Sequence, residues 1–142
     1  MAIITKASYY SPRSKADVLY FDMRNSFDRH PNLKDVDGFG NEDAVSQSIK
    51  NLLFTNPGER LFQPDLGSDI NRTLFENISA ETESLIRTYV ETTIKNYEPR
   101  ADLIEVIVTA IPEMNTYSVT IVFGVVNRTD PVVLELLLSR VR

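Results

Sequence analysis

The spacing of apolar positions along this chain changes once, from a helical period before residue 99 to strict alternation after it. Ala44, Val45, Ser48, Ile49, Leu52 and Leu53 recur at i, i+1, i+4 and i+5, which places them on one face of an α-helix. Asn41 stands where an N-cap is needed, Glu42 and Asp43 suit the positive end of the helix dipole, and Asn56-Pro57-Gly58 ends the segment. A shorter helix is predicted from Asp69 to Phe75, where Ile70 and Leu74 share a face and Gly67-Ser68 opens the turn. In the third helix Ser79 is the N-cap, Glu81 and Glu83 lie in the first turn, and Leu85, Ile86, Tyr89, Val90, Ile94 and Tyr97 make an apolar stripe up to Pro99.

Beyond Pro99 the pattern is that of strands. Ile104, Val106, Val108 and Ala110 alternate with Glu105, Ile107 and Thr109, then Tyr117, Val119, Ile121 and Phe123 alternate with Ser118, Thr120 and Val122. Pro112-Glu113-Met114-Asn115-Thr116 joins the two as a hairpin. From Pro131 both templates fit, since Val133, Leu134, Leu137, Leu138 and Val141 trace a helix face while Val132, Leu134, Leu136 and Leu138 alternate. The strand is preferred, because a two-stranded hairpin is marginal in water and gains stability from a third partner. Residues 1–41 are broken by Pro12, Pro31, Gly38 and Gly40 and read as an irregular arm with a short strand at Val18-Leu19-Tyr20-Phe21. The expected fold is therefore α+β: an N-terminal arm, 1–41, and a domain, 42–142, in which two main helices pack on one face of a small, mostly antiparallel sheet.

Composition narrows the chemistry. With 142 residues, 42% of them hydrophobic, one domain with a real core is expected. Cysteine is absent, which removes disulfides and thiolate metal sites and fits folding in a reducing cytosol rather than secretion. No stretch approaches the roughly 18 to 20 apolar residues of a membrane span. The net charge of −5 opposes attraction to phosphate backbones and anionic lipid, so neither nucleic acid nor membrane is the expected partner; another protein is. His30 is the only histidine, and without a second one a transition-metal site would need a carboxylate cluster that the sequence does not display. It reads as a surface residue. Gly38-x-Gly40 lacks the third glycine of a dinucleotide fingerprint and reads as a turn before the first long helix. The arm aromatics Tyr9, Tyr10, Tyr20, Phe21, Phe27 and Phe39 fit either the core or a surface buried in another subunit.

Two short motifs remain. Glu98-Pro99-Arg100 lies where the long helix gives way to the first long strand; Pro99 disfavours helical geometry at Glu98, and the two charges could simply be a solvated pair of little energetic value. Pro57-Gly58-Glu59-Arg60 is a turn on steric grounds, followed by Phe62, Pro64 and Gly67. In spacing and flanks, over roughly residues 40 to 142, these motifs resemble the small baseplate wedge protein of contractile-tailed phages of the T-even type, the gene-25-like family, which includes a baseplate counterpart in type VI secretion.

That resemblance implies a structural virion protein, present in multiple copies in a sixfold tail baseplate and in the host cytoplasm during assembly, with no cofactor and no catalysis. Its implied partners are other baseplate wedge proteins and the tail sheath subunit. Glu98, Pro99 and Arg100 would orient it on its neighbours, Arg100 offering several donors and Glu98 pairing with it or with a basic group on the partner. Glu59 and Arg60 would add a second contact or a fixed internal ion pair. A small sheet also leaves unpaired N–H and C=O groups at its border, and the strand bearing Val132, Leu134, Leu136 and Leu138 is the expected template for the first ring of sheath subunits. The alternative is a tail-associated, peptidoglycan-cleaving hydrolase of lysozyme type, with Glu98, Glu76 or Glu59 as acid. Phage lysozymes of the familiar kind have an Asp nine residues after the catalytic Glu, and no Glu here has one.

Overall fold

Pro99 is the hinge between a helical half and a sheet half. The computed structural model describes residues 19–29, 34–128 and 130–140. Two short strands, β1 (Phe21–Met23) and β2 (Gly38–Gly40), precede helices α1 (Glu42–Phe54), α2 (Ile70–Thr73) and α3 (Ala80–Tyr97), and strands β3 (Ala101–Ile111), β4 (Thr116–Val125) and β5 (Pro131–Ser139) follow. The last three form an antiparallel sheet in the order β3-β4-β5, confirming the α+β class and the strand reading of the C-terminal segment.

The core lies between the helices and one face of this sheet. Val45, Ile49 and Leu53 of α1, Ile70 and Leu74 in and beside α2, and Ile86, Val90 and Ile94 of α3 meet Val106, Tyr117, Val119, Ile121, Phe123, Leu136 and Leu138. Ser79 caps α3 as expected, its Oγ accepting the Thr82 N–H at 3.3 Å. The buried face of α3 is Thr82, Ile86, Val90, Thr93 and Ile94, whereas Leu85 and Tyr97 of the predicted stripe are exposed. The two threonines can take inward positions because their hydroxyls reach backbone carbonyls, Thr82 that of Asn77 at 2.9 Å and Thr93 that of Gly67 at 3.5 Å.

Strand β3 departs from simple alternation. A bulge between Leu103 and Glu105 leaves Ile104 unpaired and 62% exposed, so Leu103 takes the inward place expected of Ile104, while Val106 keeps its own. In β5 the alternation holds: Leu136 and Leu138 are buried and Val132 and Leu134 pack against the core. Val141 lies outside the described residues.

The described part of the arm is more regular than its sequence suggests. β1 and β2 pair antiparallel, with Gly38 and Gly40 in the strand instead of a turn. The hairpin docks on α1, where Gln47 Nε2 donates to the Met23 carbonyl at 2.8 Å and Asn25 Nδ2 to Asn51 Oδ1 at 2.9 Å. The strand expected at 18–21 is displaced to Phe21–Met23, and Val18, Tyr9, Tyr10, Pro12, His30 and Pro31 lie outside the described residues. The other arm aromatics divide: Tyr20 packs against the core and Phe39 is half-buried, but Phe21 and Phe27 are largely exposed.

Asn41 does not cap α1 through its side chain. It adopts a positive φ, 53°, with ψ −114°, and its Oδ1 instead accepts the N–H groups of Leu19, at 2.9 Å, and Tyr20, at 3.3 Å. The side chain thereby ties the start of the arm hairpin to the start of the first helix.

The bulge separates two neighbouring apolar residues energetically. Ile104→Thr should change unfolding free energy by no more than about 0.5 kcal/mol, while Val106→Ala should cost about 2 kcal/mol. Urea unfolding of the two variants measures this, and equal losses would place Ile104 in the core.

Candidate functional site

Glu98-Pro99-Arg100 is built by a helix end folding back on itself. Glu98, with φ −123° and ψ 76°, is the first non-helical residue of α3, and the Ala101 N–H bonds to its carbonyl at 3.1 Å, closing a turn with Pro99 at its first corner. That turn brings Arg100 onto the Glu98 side chain: Nε donates to Oε1 at 2.6 Å and Nη2 to Oε2 at 2.8 Å. Ser48 Oγ of α1 donates to Oε2 as well. The guanidinium carbon of Arg100 lies over the Tyr20 ring, 5.6 Å from its centre.

The solvated-pair reading therefore fails for Glu98. Its side chain is only 3% exposed, while Arg100 keeps 34% of its side-chain surface in water and Pro99 is exposed. Burial pushes the Glu98 carboxyl upward, but the hydrogen bonds from Arg100 and Ser48, together with the Arg100 charge, outweigh it and hold the pKa below the ordinary 4.5. Arg100 is held above its ordinary value by the Glu98 hydrogen bonds. Of the two pairings open to Glu98, the one within the chain is formed, and it aims the exposed edge of Arg100 outward.

The second motif lies beside the first. Pro57-Gly58 forms the expected turn, with Gly58 at φ +88°, and Gly67 sits at φ +142° where an added Cβ would collide with the Thr55 carbonyl. Glu59 is exposed and accepts from Asn56 N at 3.0 Å and Nδ2 at 2.6 Å, contacts that lower its pKa. Arg60 is also exposed and, among the described residues, makes no ion pair, so the internal-pair option is not realised. It lines a cleft of about 220 Å³ with Asp22, Ser48, Asn51, Leu52, Leu66 and Tyr97. Ser48 thus touches both the cleft and Glu98, and the structure gathers residues 22, 48, 60 and 98–100 on one side of the molecule.

Sequence reasoning does not place Ser48 in the site, although a polar residue inside an otherwise apolar helical stripe is a signal. Tyr20 stands in the sequence only among the arm aromatics that fit the core or another subunit, because its approach to Arg100 depends on the Asn41 tie.

The sheet has two unlike edges. At β3, α3 packs alongside and Glu83 Oε1 accepts the outward Ala110 N–H at 2.9 Å, with the bulge further along. At β5, the Arg140 N–H bonds to the Asn115 carbonyl at 3.0 Å, which fixes the phase of the ladder. By alternation, Val132, Leu134, Leu136 and Leu138 direct N–H groups to β4 and side chains to the core. The N–H groups of Val133, Glu135, Leu137 and Ser139 point to the open edge, where no described side chain caps them. The four residues expected to form the template thus hold the strand in place, and the backbone of their neighbours is what the edge offers. Among the described residues there is no group of three or more metal-ligating side chains and no helix long and apolar enough to cross a membrane.

Comparison with known proteins supplies the context. The family described as baseplate wedge protein gp25 matches residues 40–129. Baseplate wedge protein gp25 of Enterobacteria phage T4 is 32% identical over 89 residues, 63% of this chain and 67% of the T4 protein. A chain of the anti-feeding prophage baseplate superposes with a TM-score of 0.68 at 28% identity, covering 82% of this chain and 92% of its own. A protein of Geobacter sulfurreducens described as a candidate tail lysozyme superposes with a TM-score of 0.65 at 25% identity, covering 71% of this chain and 92% of its own.

The buried pair carries an expectation of its own. Removing Arg100 strands a buried carboxylate, so Arg100→Ala should cost about 2–3 kcal/mol, below the 3–5 kcal/mol of a fully buried pair because water reaches the guanidinium. Because the folded pKa of Glu98 is depressed, its contribution is present above pH 4.5 and lost as pH falls through the lower folded value. The stability gap between wild type and Glu98→Gln, measured by chemical denaturation, should therefore be widest near neutrality and close in acid. A gap independent of pH would mean that the pair is not formed.

Proposed function

Because the chain belongs to the baseplate wedge protein gp25 family, and is thus a structural baseplate component of a contractile phage-like tail, we propose that it joins wedge subunits and starts the sheath. In this reading β5 is the template on which a strand of the first sheath ring adds, and the face carrying Arg60, Pro99 and Arg100 seats the domain on other wedge proteins. Glu98 and Glu59 contribute by position, Glu98 by aiming Arg100 and Glu59 by holding the turn that displays Arg60. The protein acts in multiple copies, assembling in the host cytoplasm before it resides in the tail. The observation that carries the reading is the contrast between the two edges: β3 is bulged and capped by Glu83, while β5 presents, in unbroken register, four N–H groups that no described side chain caps.

The Geobacter neighbour raises a second reading, a hydrolase. A glycosidase needs an acid whose pKa is raised so that it stays protonated near neutrality, and a second, ionised carboxylate opposite it. Glu98 and Glu59 are both shifted the other way. Asp43 is raised by burial and by Glu42, but it stands in the first turn of α1 and does not line the cleft. These features favour the structural reading.

Two measurements test it. At Glu135 a proline removes one edge-facing N–H without breaking a bond to β4, whereas alanine keeps the donor. In particles complemented with each variant, Glu135→Pro should give baseplates and tubes with little sheath, and Glu135→Ala nearly normal tails. Equal sheath on both would remove β5 as the template. The purified chain should release no more soluble product from peptidoglycan than buffer does; release abolished by a folded Glu98→Gln or Glu59→Gln variant would establish the hydrolase instead.

A further inference from the structure

The connection from α1 to α2 contains three β-turns in succession. The Glu59 N–H bonds to the Asn56 carbonyl at 3.1 Å, Gln63 N–H to Arg60 at 3.3 Å, and Leu66 N–H to Gln63 at 3.1 Å. The corners of the first are Pro57 and Gly58 and those of the third are Pro64 and Asp65, residues that suit turns. The corners of the middle turn are Leu61 and Phe62. Neither is a turn former, and neither is used in packing: they are 93% and 97% exposed.

Such exposure would mean little on a loose loop, but this one is pinned. Gly58 N–H bonds to the Pro64 carbonyl at 2.7 Å and Ser68 N–H to Thr55 at 2.9 Å. Tyr97 Oη of α3 donates to the Asp65 carbonyl at 2.6 Å, and Asn71 Nδ2 to Asn56 Oδ1 at 2.7 Å. Two adjacent large apolar side chains are held out in water by a rigid mount, the arrangement that lowers the ordering cost of an interface anchor.

We propose that Leu61 and Phe62 form an apolar anchor that inserts into a hydrophobic pocket on another protein subunit of the baseplate. This deepens, and rests on, the reading of the Arg60 face as a wedge contact. A protein pocket is favoured over a lipid surface because Glu59 and Asp65 flank the tip and the chain carries a net charge of −5, which repels anionic headgroups. The anchor neighbours Arg60, which makes no ion pair among the described residues, so one contact combines apolar burial with a cation at its rim.

The test uses particles lacking this chain and complemented with full-length variants. Leu61→Ser/Phe62→Ser should melt within about 2 °C of wild type, since the lost side chains are almost wholly in water. Its incorporation into purified baseplates should fall on the order of tenfold or more, the scale expected when a buried apolar side chain is lost from an interface. Phe27→Ser, which removes another exposed aromatic, should incorporate normally. A photo-crosslinking residue at 62 should couple to a second baseplate protein within assembled tails. Normal incorporation of the double variant, an equal loss in Phe27→Ser, or incorporation at 62 without any protein crosslink would overturn the proposal. So would binding of the wild-type chain to phosphatidylglycerol vesicles that the double variant abolishes. Failure of the sheath-template reading looks different, because it concerns sheath on baseplates that already contain the chain.

Discussion

A carboxylate at the C-terminal end of an α-helix faces the negative pole of the helix dipole, and one that is also buried pays for lost hydration. Glu98 does both, and it is kept ionised by a guanidinium only two residues away. The turn at Pro99 is what makes so short a pairing possible, and the same turn converts the direction of α3 into that of β3. Ser48 then attaches α1 to the junction, and Tyr20 covers it from the arm. Four parts of the chain therefore meet on one ion pair. The geometry fixes the helices relative to the sheet and, through the one-third of Arg100 left in water, fixes the direction of an outward-facing cation.

The change of period at Pro99 is visible in the sequence, as are the three helices, the Ser79 cap and the hairpin, because each is written in a local pattern that tertiary packing reinforces, whereas the strand after Pro131 follows from the hairpin's need of a third partner. The two motifs were also visible as short strings. What local pattern could not convey was burial. Glu98 looks solvated until Ser48 and Arg100 converge on it, and Ser48 looks like a flaw in an apolar stripe until its carboxylate partner arrives from 50 residues away. The bulge at Ile104 is invisible for a related reason: alternation marks which residues are apolar, and a single extra residue reverses which of them point inward. Asn41 misleads in the opposite way, because an Asn before a helix is a common cap, and only the returning arm gives it better acceptor work.

The two sheet edges are unlike. A helix side chain and a bulge occupy one border, while no described side chain caps the other, whose inward side chains are locked in the core. The locked side chains matter as much as the open donors, since a strand that could slip would offer no defined surface. The apolar tip at Leu61 and Phe62 projects from the α1–α2 loop and not from the sheet, so the two proposed contacts, apolar insertion and backbone pairing, would be made by separate elements of the structure.

Strand β5 begins at Pro131, the one residue in it with no amide hydrogen. By the alternation of the ladder that missing donor would have pointed to the open edge, so hydrogen-bond donation to any incoming strand starts at Val133. A guest strand displaced by one residue would present its opposite face, and one displaced by two would leave a carbonyl unanswered beside the proline ring. The border thus carries a zero mark as well as a surface. In a helical polymer nucleated on such a border, that mark would set the angle at which the first ring sits, and every later ring would inherit it.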